Sequence, residues 1–333
     1  MADKLLIGID LGGTTTKMAF LEKSGKIIDK WRIKTDTSDN GNHIAPNIAK
    51  SINSEMTKTN HTKDEFLGMG MGTPGTIDNK AGTVYGAYNL NWGDKHQVKS
   101  VIEKGVGLPL IMDNDANVAA LGEFRRGAGS KDQDIVFVTL GTGVGGGIIT
   151  EGHLLHGCNG DAGEIGHICV KPGGYMCTCG KRGCLEQYAS ATGVVHIAHD
   201  MAEKFTTGKS RLKQLEDKHQ KVTSKIVFYL ADNGDILANQ VVDRVCFYLG
   251  LALSDVANAF NPSNIIIGGG VSNAGNTLLQ PTTRYFQENA FPPVRDSTKV
   301  QLAQLGNDAG AIGAGSLALK FDKSSKNKSS WDK

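Results

Sequence analysis

The stretch KLLIGIDLGGTTTKMAF, Lys4 to Phe20, reads as a short buried strand, a bend through Leu11-Gly12-Gly13-Thr14-Thr15-Thr16, and a second strand. Past the bend the chain is strand-like, not helical. A third strand-like run lies beyond the Ser24-Gly25 turn, so the chain opens as a meander. The same pattern returns at DIVFVTLGTGVGGGIIT, residues 134–150. Gly141 to Gly146 satisfies G-x-G-x-x-G, but that motif marks a dinucleotide site only where a strand passes into a helix, and here Ile148-Ile149 continues as strand. No G-x-x-x-x-G-K-[ST] run offers a P-loop instead. Bends of this kind either aim successive backbone N–H groups at an anion such as phosphate or are tight hairpins that need positive φ.

Working outward, residues 69–78 (MGMGTPGTID) read as a strand entering a Gly/Pro loop, and PLIM before Asp113 as another strand. Residues 265–272 (IIIGGGVS) read as a buried strand ending in Gly268, Gly269 and Gly270. Helices are expected over 43–58, 116–126, 192–206, 236–260, 275–290 and 308–319, with Asn114 or Asp115 placed to cap the second. Strands alternating with helices over 333 residues imply an α/β fold in two domains. The expected division is a small lobe over 1–115, completed by the C-terminal helix 306–320, a larger lobe over 116–305, and a disordered tail over 321–333.

Composition narrows the function. Lys plus Arg number 36 against 34 Asp plus Glu, a net charge of +2, so no polyanion-binding surface is indicated and nucleic acid is not an expected partner. The apolar run Leu5 to Ile7 is too short for a membrane span or signal-peptide core, which points to a soluble cytoplasmic protein with no membrane partner. The 43 glycines, about 13% against a usual 7% or so, imply many tight backbone turns.

Six cysteines in a reducing compartment are not expected to pair as disulfides. Cys158, Cys169 and Cys246 are scattered and read as ordinary buried thiols. Cys177, Cys179 and Cys184 fall within eight residues, with glycines that let the chain wrap, and His167 lies ten positions upstream. Such a His-Cys₃ set suits a closed, structural zinc site; the alternative is a reduced thiol cluster, and Cys169 competes with His167 for the fourth position.

The D-x-G-G-T bend and the second glycine hairpin resemble the two-lobed, duplicated ATPase fold shared by sugar kinases, actin and the Hsp70 chaperones. The resemblance sharpens with Asp113-Asn-Asp-Ala-Asn117, Glu164-Ile-Gly-His167 and the C-x-C-G-x-x-G-C-x-E run ending at Glu186, all in order. Together they are similar to the ROK family of repressors, open reading frames and sugar kinases, and within it to the bacterial ATP-dependent glucokinases, over about residues 4–320. The resemblance implies transfer of the γ-phosphoryl of ATP to the 6-hydroxyl of glucose in a cleft between two lobes. It places ATP phosphates at Asp10, Gly12, Gly13, Thr14, Thr15 and Lys17, and at Gly141, Thr142, Gly143, Gly145, Gly268, Gly269 and Gly270. Asp10 would hold Mg²⁺ through water, or else would only hydrogen-bond the Gly12-Gly13 turn. Asp115 would be the general base that takes the hydroxyl proton, or else only a helix cap. Asn114, Asp115, Glu164, His167 and Glu186 would bind the sugar, with Gly75 and Asn89 lining the same cleft. The family also favours His167, with Cys177, Cys179 and Cys184, as the zinc ligand, and implies a homo-oligomer, most simply a dimer. Two alternatives stand beside this: a kinase for N-acetylmannosamine, mannose or fructose, and a sugar-responsive repressor. The repressors carry a helix-turn-helix ahead of the first strand, and here nine residues precede Asp10.

Overall fold

The computed structural model describes residues 4–322. The opening meander forms as β1 (Leu5–Leu11), β2 (Thr15–Leu21) and β3 (Ile27–Lys34), paired antiparallel. On its other edge β1 runs parallel to β4 (Phe66–Thr73). Next come β5 (Thr76–Asp78), β6 (Thr83–Tyr85) and β7 (His96–Gln97), which make a small separate sheet. Strand β8 (Leu110–Asn114) pairs parallel with β4, giving the order β3-β2-β1-β4-β8. The second meander, β9 (Ile135–Leu140), β10 (Val144–Thr150) and β11 (His153–Leu154), joins β12 (Asn264–Gly268) and β13 (Lys299–Leu302) in the order β11-β10-β9-β12-β13. Its β9-β12-β13 pairings are parallel and its meander antiparallel. Strand order and sense therefore repeat, which is the structural form of the repeated sequence pattern.

Two units result, one containing the described residues through Ser130 and again from Asn307, the other Lys131–Gly306. In the first, α1 (Ile44–Lys58) buries Ile44, Ile48, Ile52 and Met56 at helical spacing and packs on α2 (Lys99–Val106). Next in sequence comes α3 (Asp115–Arg126). In the second unit, α4 (Glu186–Ala189), α5 (Ala191–Lys204), α6 (Arg211–Asp217) and α7 (Ser224–Asp232) gather with α8 (Ile236–Phe260), α9 (Asn276–Asn289) and α10 (Pro292–Ser297). Helix α8 has the length and composition of a membrane span, yet 61% of its most apolar window is buried inside its own unit, where it packs against α5, α7 and α9. Asp235 caps it by accepting from the Ala238 N–H, and Asn261 ends it in the left-handed region before Pro262.

The last helix, α11 (Ala309–Leu317, AGAIGAGSL), is buried along its whole length and lies between α3 and strands β1 and β4. Small residues permit that approach. A Cβ at Gly8 would stand 1.9 Å from the Ala311 carbonyl oxygen, and one at its neighbour Gly70 1.8 Å from that of Ala314. Because α11 packs so closely on α3, the first unit extends past the expected boundary at residue 115 to Ser130. Residues 321 and 322, at the head of the expected tail, are packed instead. Phe321 lies where a Cβ on Gly68 would meet its ring at 2.5 Å, and Asp322 pairs with Lys23 at 2.5 Å. The rest of that tail lies outside the described residues.

Candidate active site

In the first unit the candidate residues collect at the carboxyl ends of the parallel strands β1, β4 and β8, the edge where open α/β sheets bind ligands. Register places Asp10 beside Gly72, Gly72 beside Asp113, and Thr73 beside Asn114. The Asp10 carboxylate faces Lys17 at 3.6 Å and the first turn of α11, where a Cβ on Gly310 would meet its Cγ at 2.6 Å. Burial raises the Asp10 pKa above the usual carboxylate range, and the Lys17 ammonium works against that rise. The Lys17 amine also reaches the Asn307 side-chain oxygen at 3.3 Å.

The bend after β1 closes on its own backbone, Gly12 N–H donating to the Thr15 carbonyl at 3.2 Å. Thr35 braces it from β3's end: its hydroxyl donates to the Gly12 carbonyl at 2.7 Å, its N–H donates to Thr14, and its Oγ1 lies 3.0 Å from that of Thr16. The bend is thus held by Thr35 rather than by the alternative role considered for Asp10. Thr14 is exposed and Thr15 opens β2. A Cβ on Gly13 would meet the Asn89 carbonyl oxygen at 3.0 Å, so Asn89 stands at this bend. Gly75 has φ +89° in the turn leading into β5, where a Cβ would crowd Tyr85 and Ala87.

At the end of β8, Asn114 is the N-cap of α3, its side-chain oxygen accepting from the Ala116 N–H at 2.8 Å. Asp115 is the first helical residue; one carboxylate oxygen accepts from the same N–H at 2.8 Å, and the side chain is exposed. The capping geometry belongs to Asn114. Asp113 sits beneath, buried, accepting from the Asn114 N–H at 2.8 Å and the Asn117 amide at 2.9 Å.

In the second unit the Gly141-Thr142-Gly143 hairpin is closed by Gly141 N–H donating to the Gly143 carbonyl at 3.0 Å. The start of α5 anchors it: Ala191 N–H donates to the Gly141 carbonyl at 2.8 Å and the Thr192 hydroxyl to that of Thr142 at 3.0 Å. Gly12, Gly13, Gly141, Gly143 and Gly145 all lack positive φ, which removes the tight-hairpin explanation for these glycines. A Cβ on Gly143 would come within 2.7 Å of Glu186 Oε2, the mobile end of that side chain. Gly145 opposes Thr139 within the ladder. Gly268 ends β12 beside Thr139, Gly269 turns with φ +84° against the Leu140 backbone, and Gly270 starts a 3-10 turn. Hairpin and glycine loop therefore share one edge of the second sheet.

The four expected metal ligands converge. One ligand atom each from His167, Cys177, Cys179 and Cys184 lies within 4.8 Å of all the others. His167 Nδ1 is 3.7 Å from Cys177 Sγ, and Cys179 and Cys184 sulfurs are 3.6 Å apart. Zinc–sulfur bonds of about 2.3 Å in a tetrahedron require ligand–ligand edges of about 3.8 Å, so the donor types and spacing fit that ion. Cys169 stays outside the group, its thiol directed at the Arg182 carbonyl. The expectation that Cys158, Cys169 and Cys246 are all buried holds only for Cys246; the other two lie exposed on loops. Gly183 makes the turn possible, with φ +85° and a Cβ position 1.9 Å from the Lys171 carbonyl oxygen. Burial pushes the Cys177 thiol up to about 12, and it donates to Glu186 Oε1 at 3.1 Å. His167 Nε2 faces the exposed Glu164 carboxylate at 3.7 Å. Glu164, His167 and Glu186 thus surround one cluster, and Glu186 links it to the hairpin. Thr35, Asn307 and Thr192 escape a reading of the sequence, because a lone Thr or Asn in a loop carries no pattern until its partner is known.

The ROK family model matches residues 6–321. The chain belongs to the ROK family. Among its ROK relatives it is 48% identical to a glucokinase of Halalkalibacterium halodurans, over 97% of this chain and 98% of that one. It is 37% identical to a glucokinase of Thermotoga maritima, over 94% and 96% of the two chains. The crystal structure of a ROK family glucokinase from Streptomyces griseus in complex with glucose and AMPPNP is similar with a TM-score of 0.74 at 34% identity, covering 95% of this chain and 99% of that one.

Proposed function

We propose that this chain is a glucokinase that transfers the γ-phosphoryl group of ATP to the 6-hydroxyl of glucose. The observation that carries the reading is the 48% identity, over nearly the full length of both chains, to the H. halodurans glucokinase. The glucose and AMPPNP of the S. griseus complex supply the ligand classes.

A sugar hydroxyl is a weak acid, so the transfer needs a carboxylate to take its proton as the new bond to phosphorus forms. In this reading Asp115 is that base: its side chain is exposed at the sheet edge and Asn114 already serves as the N-cap. Asn114 commits its side-chain oxygen to the cap, which leaves its amide N–H groups to donate to a sugar oxygen. Glu164 and Glu186 accept from sugar hydroxyls. His167, with Nδ1 turned toward the thiols, presents Nε2–H to the sugar. The backbone N–H groups of the glycine bends receive the phosphates of ATP. Asp10 holds Mg²⁺, which offsets phosphate charge when bound. His167, Cys177, Cys179 and Cys184 hold a structural zinc that fixes the cysteine loop when bound.

Asp115→Asn preserves shape and the hydrogen bond to Ala116 but cannot take a proton, so kcat should fall by about 10²–10⁴-fold while the protein stays folded. Turnover within a few-fold of the unsubstituted enzyme would reduce Asp115 to a helix-terminal residue.

A further inference from the structure

Tyr175, two residues before the first cysteine of the loop, is tied down by contacts that neither metal nor substrate binding requires of it. Its hydroxyl donates to an Asp200 carboxylate oxygen and lies 3.4 Å from the His196 carbonyl, both on α5. Its ring stacks on Tyr188 of α4, centroids 4.9 Å apart and planes at 25°. Its N–H donates to the Tyr188 hydroxyl at 2.8 Å, and its carbonyl accepts from the Gly183 N–H at 2.9 Å, across the loop's mouth. Gly174 leaves room for this arrangement, since a Cβ there would be 1.9 Å from the Tyr188 oxygen. Tyr188 is itself 1% exposed, packs on Tyr248, and stands two residues after Glu186. Helix α5, which receives the Tyr175 hydroxyl at Asp200, holds the phosphate hairpin at its other end through Ala191 and Thr192. The two attachments are about 13 Å apart along the helix at 1.5 Å per residue.

We infer that Tyr175 and Asp200 form a latch that positions the cysteine loop on α5 and so holds His167, the three thiols and Glu186 in place for metal and sugar. Tyr175 is a positioning residue: it is not one of the four grouped ligand residues and acts through the loop that carries them. A loop held this way has its ligands gathered before the ion arrives, which slows ion loss and lowers the ordering needed when sugar binds. The inference rests on reading the cluster as a zinc site and the chain as a glucokinase, and its failure is distinguishable from theirs.

The test uses the full-length protein and its Tyr175→Phe, Asp200→Asn and Asp200→Ala variants. Zinc release to a chromogenic chelator is timed, and KM for glucose and for ATP are measured separately. A hydrogen bond to a charged group contributes enough that Tyr175→Phe and Asp200→Ala should release zinc about tenfold faster and raise KM for glucose about fivefold or more. KM for ATP should stay within about twofold, because the hairpin anchors are untouched, and the double variant should be no worse than either single one. Asp200→Asn, whose neutral amide oxygen still accepts from the tyrosine but more weakly than the carboxylate, should fall between the unsubstituted protein and Asp200→Ala. Release rates and glucose KM unchanged in Tyr175→Phe would overturn the latch, as would Asp200→Asn being as impaired as Asp200→Ala. If the unsubstituted protein carries no zinc, the zinc reading fails by itself. The latch is then judged by thiol reactivity toward a disulfide reagent, which must rise in Tyr175→Phe and rise less in Asp200→Asn. If glucose is not phosphorylated, the release and reactivity measurements still decide.

Discussion

Substituting Gly8 by Ala probes how the first unit is put together. The added Cβ would lie 1.9 Å from the Ala311 carbonyl oxygen, 2.9 Å from its carbon and 3.0 Å from the Gly315 nitrogen, all backbone atoms that no rotamer change can move. Ordinary contact begins near 3.4 Å, so α11 would have to retreat by about 1.5 Å. It has nowhere to go: on its far side a Cβ at Gly313 would already be 1.6 Å from the Val118 oxygen, and one at Gly122 2.1 Å from the Ala309 oxygen. Overpacking costs about 1–3 kcal/mol, and a site walled by backbone on both sides belongs at the upper end. For a body of this size that lowers Tm by roughly 6–12 °C. Gly93→Ala is the control, because the nearest atom to its Cβ would be 3.8 Å away and its φ is not left-handed. That variant should be neutral or gain up to about 1 kcal/mol. Differential scanning calorimetry of the three proteins reads both effects. Gly8→Ala melting within about a degree of the unsubstituted protein would refute the docking of α11 on β1 and β4.

Two further perturbations address the site. Burial raises the Asp10 pKa, so the native chain holds that proton to higher pH than the unfolded chain; the associated stability is present at low pH and is lost as pH rises through the folded value. Asp10→Asn should therefore melt at or above the unsubstituted protein at pH 7, converge with it below the carboxylate range, and still lose Mg²⁺-dependent turnover; a lower Tm at pH 7 contradicts the sign. Purified protein should contain about one zinc per chain, and Cys179→Ser should lose both the ion and activity, as elemental analysis beside a rate assay will report.

Much of this architecture is legible in the amino-acid sequence, for identifiable reasons. The meanders announce themselves because apolar runs flank glycine bends, and Asp113 to Asn117 because a polar run follows a buried strand. Other features depend on distant partners. In sequence the bend glycines are open to explanation by positive φ, whereas the structure gives Gly143 an ordinary φ and sets the Glu186 carboxylate, 43 residues away along the chain, beside it. The unit boundary falls at Ser130 because α11, nearly two hundred residues later, packs on α3. Helices α6 and α10 and the small β5-β6-β7 sheet are short, with too few apolar residues to show a period, while α7 (SKIVFYLAD) is a short, nearly continuous apolar run that periodicity alone cannot tell from a buried strand. The grouping of three thiols is written in the spacing of Cys177, Cys179 and Cys184, but the choice of His167 over Cys169 is not: the family resemblance favours it, and in the structure the Cys169 thiol is directed at the Arg182 carbonyl instead.

Phosphorylation of glucose by a ROK chain with these groups can be measured outright. The measurement is a coupled assay of ATP consumption at saturating ATP and Mg²⁺, run over glucose, mannose, N-acetylmannosamine and fructose. Glu164, His167 and Glu186 are charged or ring N–H groups grouped at one cluster, and a hexose with one hydroxyl inverted would leave one of them unpaired. That mismatch costs about 1–3 kcal/mol, or about 5- to 150-fold in kcat/KM. Glucose should lead mannose by at least that lower margin, with N-acetylmannosamine and fructose poorer still. N-acetylmannosamine or fructose coming out ahead, or ATP consumption indifferent to all four sugars, would contradict it.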